Sequence, residues 1–154
     1  MAGQIFAYIT HKTGRADDSA LELTTAAGKI YPDASTTAIV TGVGADLDAI
    51  CSEVAQSYQE VWKFDHEVLA YPNAETIRKL LVDVLPQDAI LLAPHDTFGM
   101  DLCPGLSVKL DAVFVADVSR PDDAVDLVVL DDAVDVEVDP DTVRVTMLRY
   151  LVVR

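Results

Sequence analysis

The chain is poor in the features that would send it to a membrane, a disulfide framework or nucleic acid. No run of roughly 18 apolar residues occurs anywhere along it, so membrane insertion is not expected. Met1-Ala2-Gly3-Gln4 leads directly into a short apolar run, without a basic leader or a small-residue cleavage pattern, and the chain reads as soluble, unexported and cytoplasmic. Cysteine is scarce. Cys51 and Cys103 stand far apart, outside any CxxC spacing and away from histidine, and they read as free thiols in a reducing compartment. Bases are scarce too: 11 Lys and Arg against 26 Asp and Glu leave a net charge of −15, which repels a phosphate backbone and excludes nucleic acid as an expected partner. There is no GK[ST] phosphate loop, no DxDxDG calcium loop, no fixed-period repeat and no low-complexity segment.

What the chain does have is material for one core: 154 residues, 51% of them hydrophobic, within the usual size of a single domain. The expected unit runs over 1–154, with a core over 4–118 and an acidic, β-rich tail over 119–154. From Asp111 to Asp141 stand eleven acids and one base, Arg120. The plain reading is a solvated acidic face suited to salty surroundings, and the alternative is a docking patch for a basic partner.

Apolar runs alternate with helical periodicity. Gln4 to Ile9 reads as a buried strand. Asp18 or Ser19 is placed to cap a helix, with Ser19 and Glu22 as a capping box, and Pro32 ends it. Ala38 to Thr41 is a second strand, followed after Gly42-Val43-Gly44 by a helix from about Asp46 to Tyr58. Val61 to Phe64 is a third strand, whose Trp62 and Phe64 read as packing residues. Asn73 caps a third helix that Pro86 closes. Ala89 to Ala93 is continuously apolar, as a central parallel strand should be. After a loop from Pro94 to Met100, a helix over Asp101 to Leu110 would carry Pro104 in its first turn, where the missing N–H costs nothing. Ala112 to Ala116 gives a fifth strand. Beyond it, Val125 to Leu130 and Val134 to Val138 read as hairpin strands, and Val143 to Val153 as a terminal strand whose apolar edge invites dimerisation or partner binding. The order strand, helix, strand implies right-handed crossovers and a three-layer, Rossmann-like α/β fold. Its sheet is expected to be mostly parallel, with antiparallel C-terminal edge strands.

Two places sit where open α/β sheets take ligands, outside the carboxyl ends of their strands. Gly42 and Gly44 could let backbone approach a phosphate at a helix N-terminus, although Leu47 stands where a dinucleotide fingerprint wants a third glycine; the plain reading is a tight turn. The second place is the loop with His95, Asp96, Thr97, Gly99 and Asp101, where Thr97 and Asp101 are the cap candidates. The candidates for a cofactor contact are therefore Gly42, Gly44, Thr97, Gly99 and Asp101. His95 and Asp96 lack a nucleophile to serve, so no catalytic residue is assigned. His11, His66 and His95 each follow a strand, but no cysteine or carboxylate stands at ligand spacing beside them, and no metal is assigned.

Two stretches resemble one family, the electron transfer flavoprotein alpha subunits. Ile9-Thr10-His11-Lys12-Thr13-Gly14-Arg15, leading to Leu21-Glu22-Leu23-Thr24-Thr25-Ala26-Ala27, is similar to that family's opening strand, His-x-x-Gly loop and first helix. Leu91-Leu92-Ala93-Pro94 through Thr97-Phe98-Gly99-Met100-Asp101-Leu102-Cys103-Pro104-Gly105-Leu106 to Leu110 is similar to its strand, Thr-x-Gly-basic-Asp-Leu-small-Pro turn and helix. Ala116-Asp117-Val118 falls where the family often has Ser-Asp-Val. Met100, Cys103 and Gly105 depart from the pattern, and no Arg-Pro-x-Tyr-Gly-Gly exit follows Ser119. The resemblance implies an N-terminal domain of adenine nucleotide alpha hydrolase-like type, a scaffold that packs against a beta-type subunit. It also implies that FAD is held mainly by a C-terminal domain outside these 154 residues. No independent catalytic activity is expected. The alternative is a stand-alone nucleotide-binding or sensing module of the same fold, taking AMP or another adenine nucleotide. A homodimer is the alternative partner, and the chain is either a one-domain relative or a fragment.

Overall fold

The computed structural model describes residues 4–86, 89–118 and 145–150, with side chains over 4–86 and 89–114. Its strands are β1 (Gln4–Ile9), β2 (His11–Lys12), β3 (Arg15–Ala16), β4 (Ser35–Gly42), β5 (Glu60–Asp65), β6 (Ile90–Pro94), β7 (Ala112–Val118) and β8 (Val145–Tyr150). Its helices are α1 (Ser19–Ile30), α2 (Asp46–Val54), α3 (Ala74–Val84) and α4 (Thr97–Leu110), with a short 3-10 turn at Glu67–Leu69. The main sheet has the order β5-β4-β1-β6-β8-β7. β1 pairs in parallel with β4 and β6, and β4 with β5, as repeated strand–helix crossovers require.

Two-residue alternation along the central strands sorts the core onto two faces. Ile5, Ala7 and Ile9 of β1, with Ala38 and Val40 of β4 and Leu92 of β6, meet Leu23, Ala27, Leu47 and Ile50 of α1 and α2. Phe6 and Tyr8, with Ile39 and Leu91, face Ile77, Leu81, Leu102 and Leu106 of α3 and α4. Strands buried on both sides have no polar face to show, which is why their sequences run apolar without a break.

The terminal strand is antiparallel, as expected, but it is not an edge. β8 pairs with β6 on one side and β7 on the other, because the β6–α4–β7 connection skips one place in the sheet and β8 fills the gap. Over Val145–Tyr150 both sides of the strand are paired, so this stretch offers no free edge for the dimerisation expected through Val143 to Val153, whose remaining residues lie outside the described ones. Among the described residues the sheet ends instead on β5 and β7. The expected hairpin strands at Val125 to Leu130 and Val134 to Val138, and most of the acidic run, lie outside the described residues.

Several helix limits differ from the expectation. Asp18 is the N-cap residue of α1 without a side-chain cap bond, and Ser19 is already helical, its hydroxyl 3.4 Å from that of Thr10, so the capping box does not form. α2 stops at Val54 rather than near Tyr58, since Tyr58 turns inward and donates its hydroxyl to the Ala20 carbonyl at 2.6 Å. Asn73 caps α3 as expected, accepting from the Thr76 amide at 3.0 Å. The loop expected over Pro94 to Met100 is mostly helix. Asp96, in extended conformation, accepts from the Gly99 amide at 2.7 Å, so α4 begins at Thr97, and neither Thr97 nor Asp101 is the cap. Pro104 consequently lies inside α4, where it offers no N–H to the Met100 carbonyl. Arg78 of α3 reaches across this region and donates to the carbonyls of Asp101 at 2.7 Å and Leu102 at 3.4 Å.

The polar loop after β1 is a two-residue hairpin between β2 and β3, with positive φ at both Thr13 (49°) and Gly14 (75°). That geometry favours Asn-Gly over a β-branched first residue. Thr13→Asn is expected to stabilise the fold by about 0.5–1 kcal/mol, read as a rise of roughly 1–4 °C in melting temperature. An unchanged or lowered melt would show that Thr13 carries no strain.

Candidate functional site

The carboxyl ends of three parallel strands open into one cavity of about 540 Å³. β1 contributes Tyr8 and Ile9 and then the turn from Thr10 to Gly14; β4 contributes Thr41, Gly42 and Val43; and Asp96, Thr97 and Phe98 follow β6. Leu47 and Ile50 of α2 wall one side, and Leu69, Ala70 and Pro72 another. The volume is in the range of a small-molecule site, and the position is the one where open α/β sheets take ligands.

Side chains on this floor tie the strands together. The Tyr8 hydroxyl lies 2.7 Å from the Thr41 hydroxyl, buried between β1 and β4. His11 Nε2 lies 2.7 Å from the Thr41 carbonyl; a carbonyl only accepts, so Nε2–H donates. The Phe98 ring sits 5.5 Å from that of Tyr8, at 31°. Burial pushes the Tyr8 hydroxyl up to about 12, against the lowering effect of its bond to Thr41 and with a further push from the Asp96 charge. On α4, burial likewise raises the Cys103 thiol to about 12.

Both shifts favour the neutral form in the folded state. Their stabilisation is present in full below the unfolded values, 10.0 for Tyr8 and 9.0 for Cys103, and is lost as pH rises toward about 12. Thermal melts are therefore expected to hold level up to pH 9 and to fall above it. Tyr8→Phe should flatten the fall between pH 10 and 12, and an identical alkaline profile for that variant would refute the assignment to Tyr8.

The structure brings some of the sequence candidates together and separates others. Gly42 and Thr97 line the cavity. Gly44, at φ 88°, is not among the lining residues, and its amide donates to Asp65 Oδ1 at 3.0 Å. Gly99 is buried in the first turn of α4, its amide held by Asp96. Asp101 is exposed, and its carbonyl accepts from Arg78. Asp96 acts as a helix cap and not as a partner for His95, whose Nδ1 is buried without a hydrogen bond. The three histidines have separate surroundings: His66 Nδ1 accepts from the Val68 amide at 3.1 Å, while His11 bonds to β4. Among the described residues, no group of three His, Cys, Asp or Glu is placed to hold a metal. Trp62 and Phe64 pack against the core, Trp62 with its ring 4.9 Å from Phe6.

Sequence reasoning missed the β1 side of the cavity, with Tyr8, Thr10 and Asp17, and Asp46 at the start of α2. The available signal was topological, since a polar turn after the first central strand lies at the same sheet end as the turns after β4 and β6. No helix among the described residues is long and apolar enough to cross a membrane.

Comparison with known proteins adds two findings. The family described as "Electron transfer flavoprotein domain" matches residues 5–151. A curated protein of Cryptococcus neoformans var. grubii, described as "Probable electron transfer flavoprotein subunit alpha, mitochondrial", is 26% identical over 114 residues. The aligned part covers 71% of this chain and 32% of that protein, so the chain matches about a third of its relative's length.

Proposed function

The chain belongs to the electron transfer flavoprotein domain family, and from that premise we propose that it is an alpha-subunit-type domain that docks a beta-type subunit in a flavin electron-transfer complex. The observation that carries this reading is the breadth of the family match, which takes in the strand and helix from Leu91 to Leu110. The two glycines expected to approach a pyrophosphate are poorly placed for it, because the Gly44 and Gly99 amides already donate to Asp65 and Asp96. The proposed role is accordingly that of a scaffold beside a flavin held elsewhere in the complex, in a reducing, cytoplasmic compartment that suits two unpaired cysteines.

The alternative, a stand-alone module for AMP or another adenine nucleotide, has the position and volume of the cavity in its favour and the same occupied amides against it. Mixing the purified chain with a beta-type subunit, with and without FAD, tests the docking role by size-exclusion chromatography with light scattering. A stoichiometric complex is the expected result. No complex under either condition overturns it.

A further inference from the structure

We propose that the cavity between β1, β4 and β6 binds an organic cation, an ammonium or guanidinium group on an apolar stem, with Phe98 and the carboxylates of Asp17, Asp46 and Asp96 as its recognition groups. This goes beyond the docking role and stands independently of it.

The cavity combines an apolar wall, which includes Leu47, Ile50 and Leu69, with polar groups whose balance is acidic. Three carboxylates line it, against Lys12 as the one Lys or Arg among the lining residues. The chain has also answered its own helix N-termini here. Asp96 takes the Gly99 amide at the start of α4, Asp65 takes the Gly44 amide before α2, and Asp46 and Asp48 sit in the first turn of α2. An incoming phosphate would meet like charge, with the Gly99 amide already taken, whereas an ammonium or guanidinium meets opposite charge.

Phe98 adds a second recognition element of a different kind. It is half-buried, lines the cavity and is steadied by its contact with Tyr8, and a cation over an aromatic face is attracted by the ring quadrupole. The apolar wall then has a use for the hydrocarbon stem that carries such a group, as long amphipathic chains lay their methylenes on apolar surface and keep the charge at the polar end.

Calorimetric titration of the purified chain with agmatine, alongside AMP and inorganic phosphate at matched ionic strength, tests the proposal. Saturable one-to-one binding of agmatine is expected, without a saturable signal from AMP or phosphate. Asp46→Asn, at an exposed position, is expected to weaken agmatine binding about fivefold, as loss of one partly screened ion pair would. Phe98→Leu should weaken it as well. Glu75→Gln, on the exposed face of α3 and outside the cavity, is expected to change nothing. Absence of saturable agmatine binding overturns the proposal. So does tighter binding of AMP than of agmatine, or an equal loss in Glu75→Gln and Asp46→Asn, which would assign the attraction to the net charge of −15 rather than to the cavity.

Discussion

Phe6→Ala is expected to cost about 3–5 kcal/mol, a large part of the roughly 5–15 kcal/mol that holds a domain of this size together. Phe6 is fully buried at the centre of the sheet, on the face covered by α3 and α4. Alanine there removes the ring from contact with Trp62 and leaves a cavity that stiff strands on either side cannot close, because β1 is fixed by parallel ladders to both β4 and β6. The melting temperature should fall by roughly 6–20 °C, and the denaturant midpoint should drop with little change in slope. Trp62, the chain's single tryptophan, reports the transition from the site itself. Phe6→Leu keeps most of the volume and is expected to cost about 1 kcal/mol, while Val108→Ala, at 82% exposure, should be nearly silent. Equal losses at Phe6 and Val108 would refute the two-faced core described above.

The strands were legible because burial on both faces imposes a pattern that sequence alone can carry. Ile5 to Ile9 and Ile90 to Ala93 have almost no polar residue to place, and their flanking turns mark where they stop. The start of α4 was not legible in the same way. It depends on Asp96 reaching the amide of Gly99, and the two cap candidates read from the sequence, Thr97 and Asp101, stand within five residues of it with side chains equally able to cap. The position of β8 was hidden for a different reason: its antiparallel character follows from its composition, but insertion between β6 and β7 is a non-local pairing that no local propensity encodes. The position of the cavity was legible by topology, since the strand ends that the sequence pointed to open into it. Its chemistry was not: the Gly44 amide is taken by Asp65, which stands 21 residues along the chain. Tyr8 read as a buried strand residue, which it is; that its hydroxyl joins β1 to β4 beneath the cavity depends on the register of two strands.

Gly99→Val should be the most damaging single change at the site, with a loss above about 3 kcal/mol, because overpacking against backbone cannot be relieved by a rotamer change. The turn from β6 into α4 allows only His95 and Asp96 between strand and helix. It is drawn closed by two bonds, from the Asp96 amide to the Pro94 carbonyl at 3.0 Å and from the Gly99 amide to Asp96 Oδ1 at 2.7 Å. A Cβ on Gly99 would fall on the Pro94 carbonyl oxygen itself. The first turn of α4 would have to move off β6, drawing Leu102, Cys103 and Leu106 from the core and carrying Thr97 and Phe98 away from the cavity wall. Gly99→Ala meets the same oxygen with fewer atoms and gains about 1 kcal/mol of helix propensity, so a net loss of about 1–2 kcal/mol is expected, or roughly 2–8 °C in melting temperature. The two variants should therefore rank glycine, alanine, valine in falling stability. An alanine variant that melts above the parent would mean that helix propensity decides at this position, and that the close approach of α4 to Pro94 does not constrain the turn.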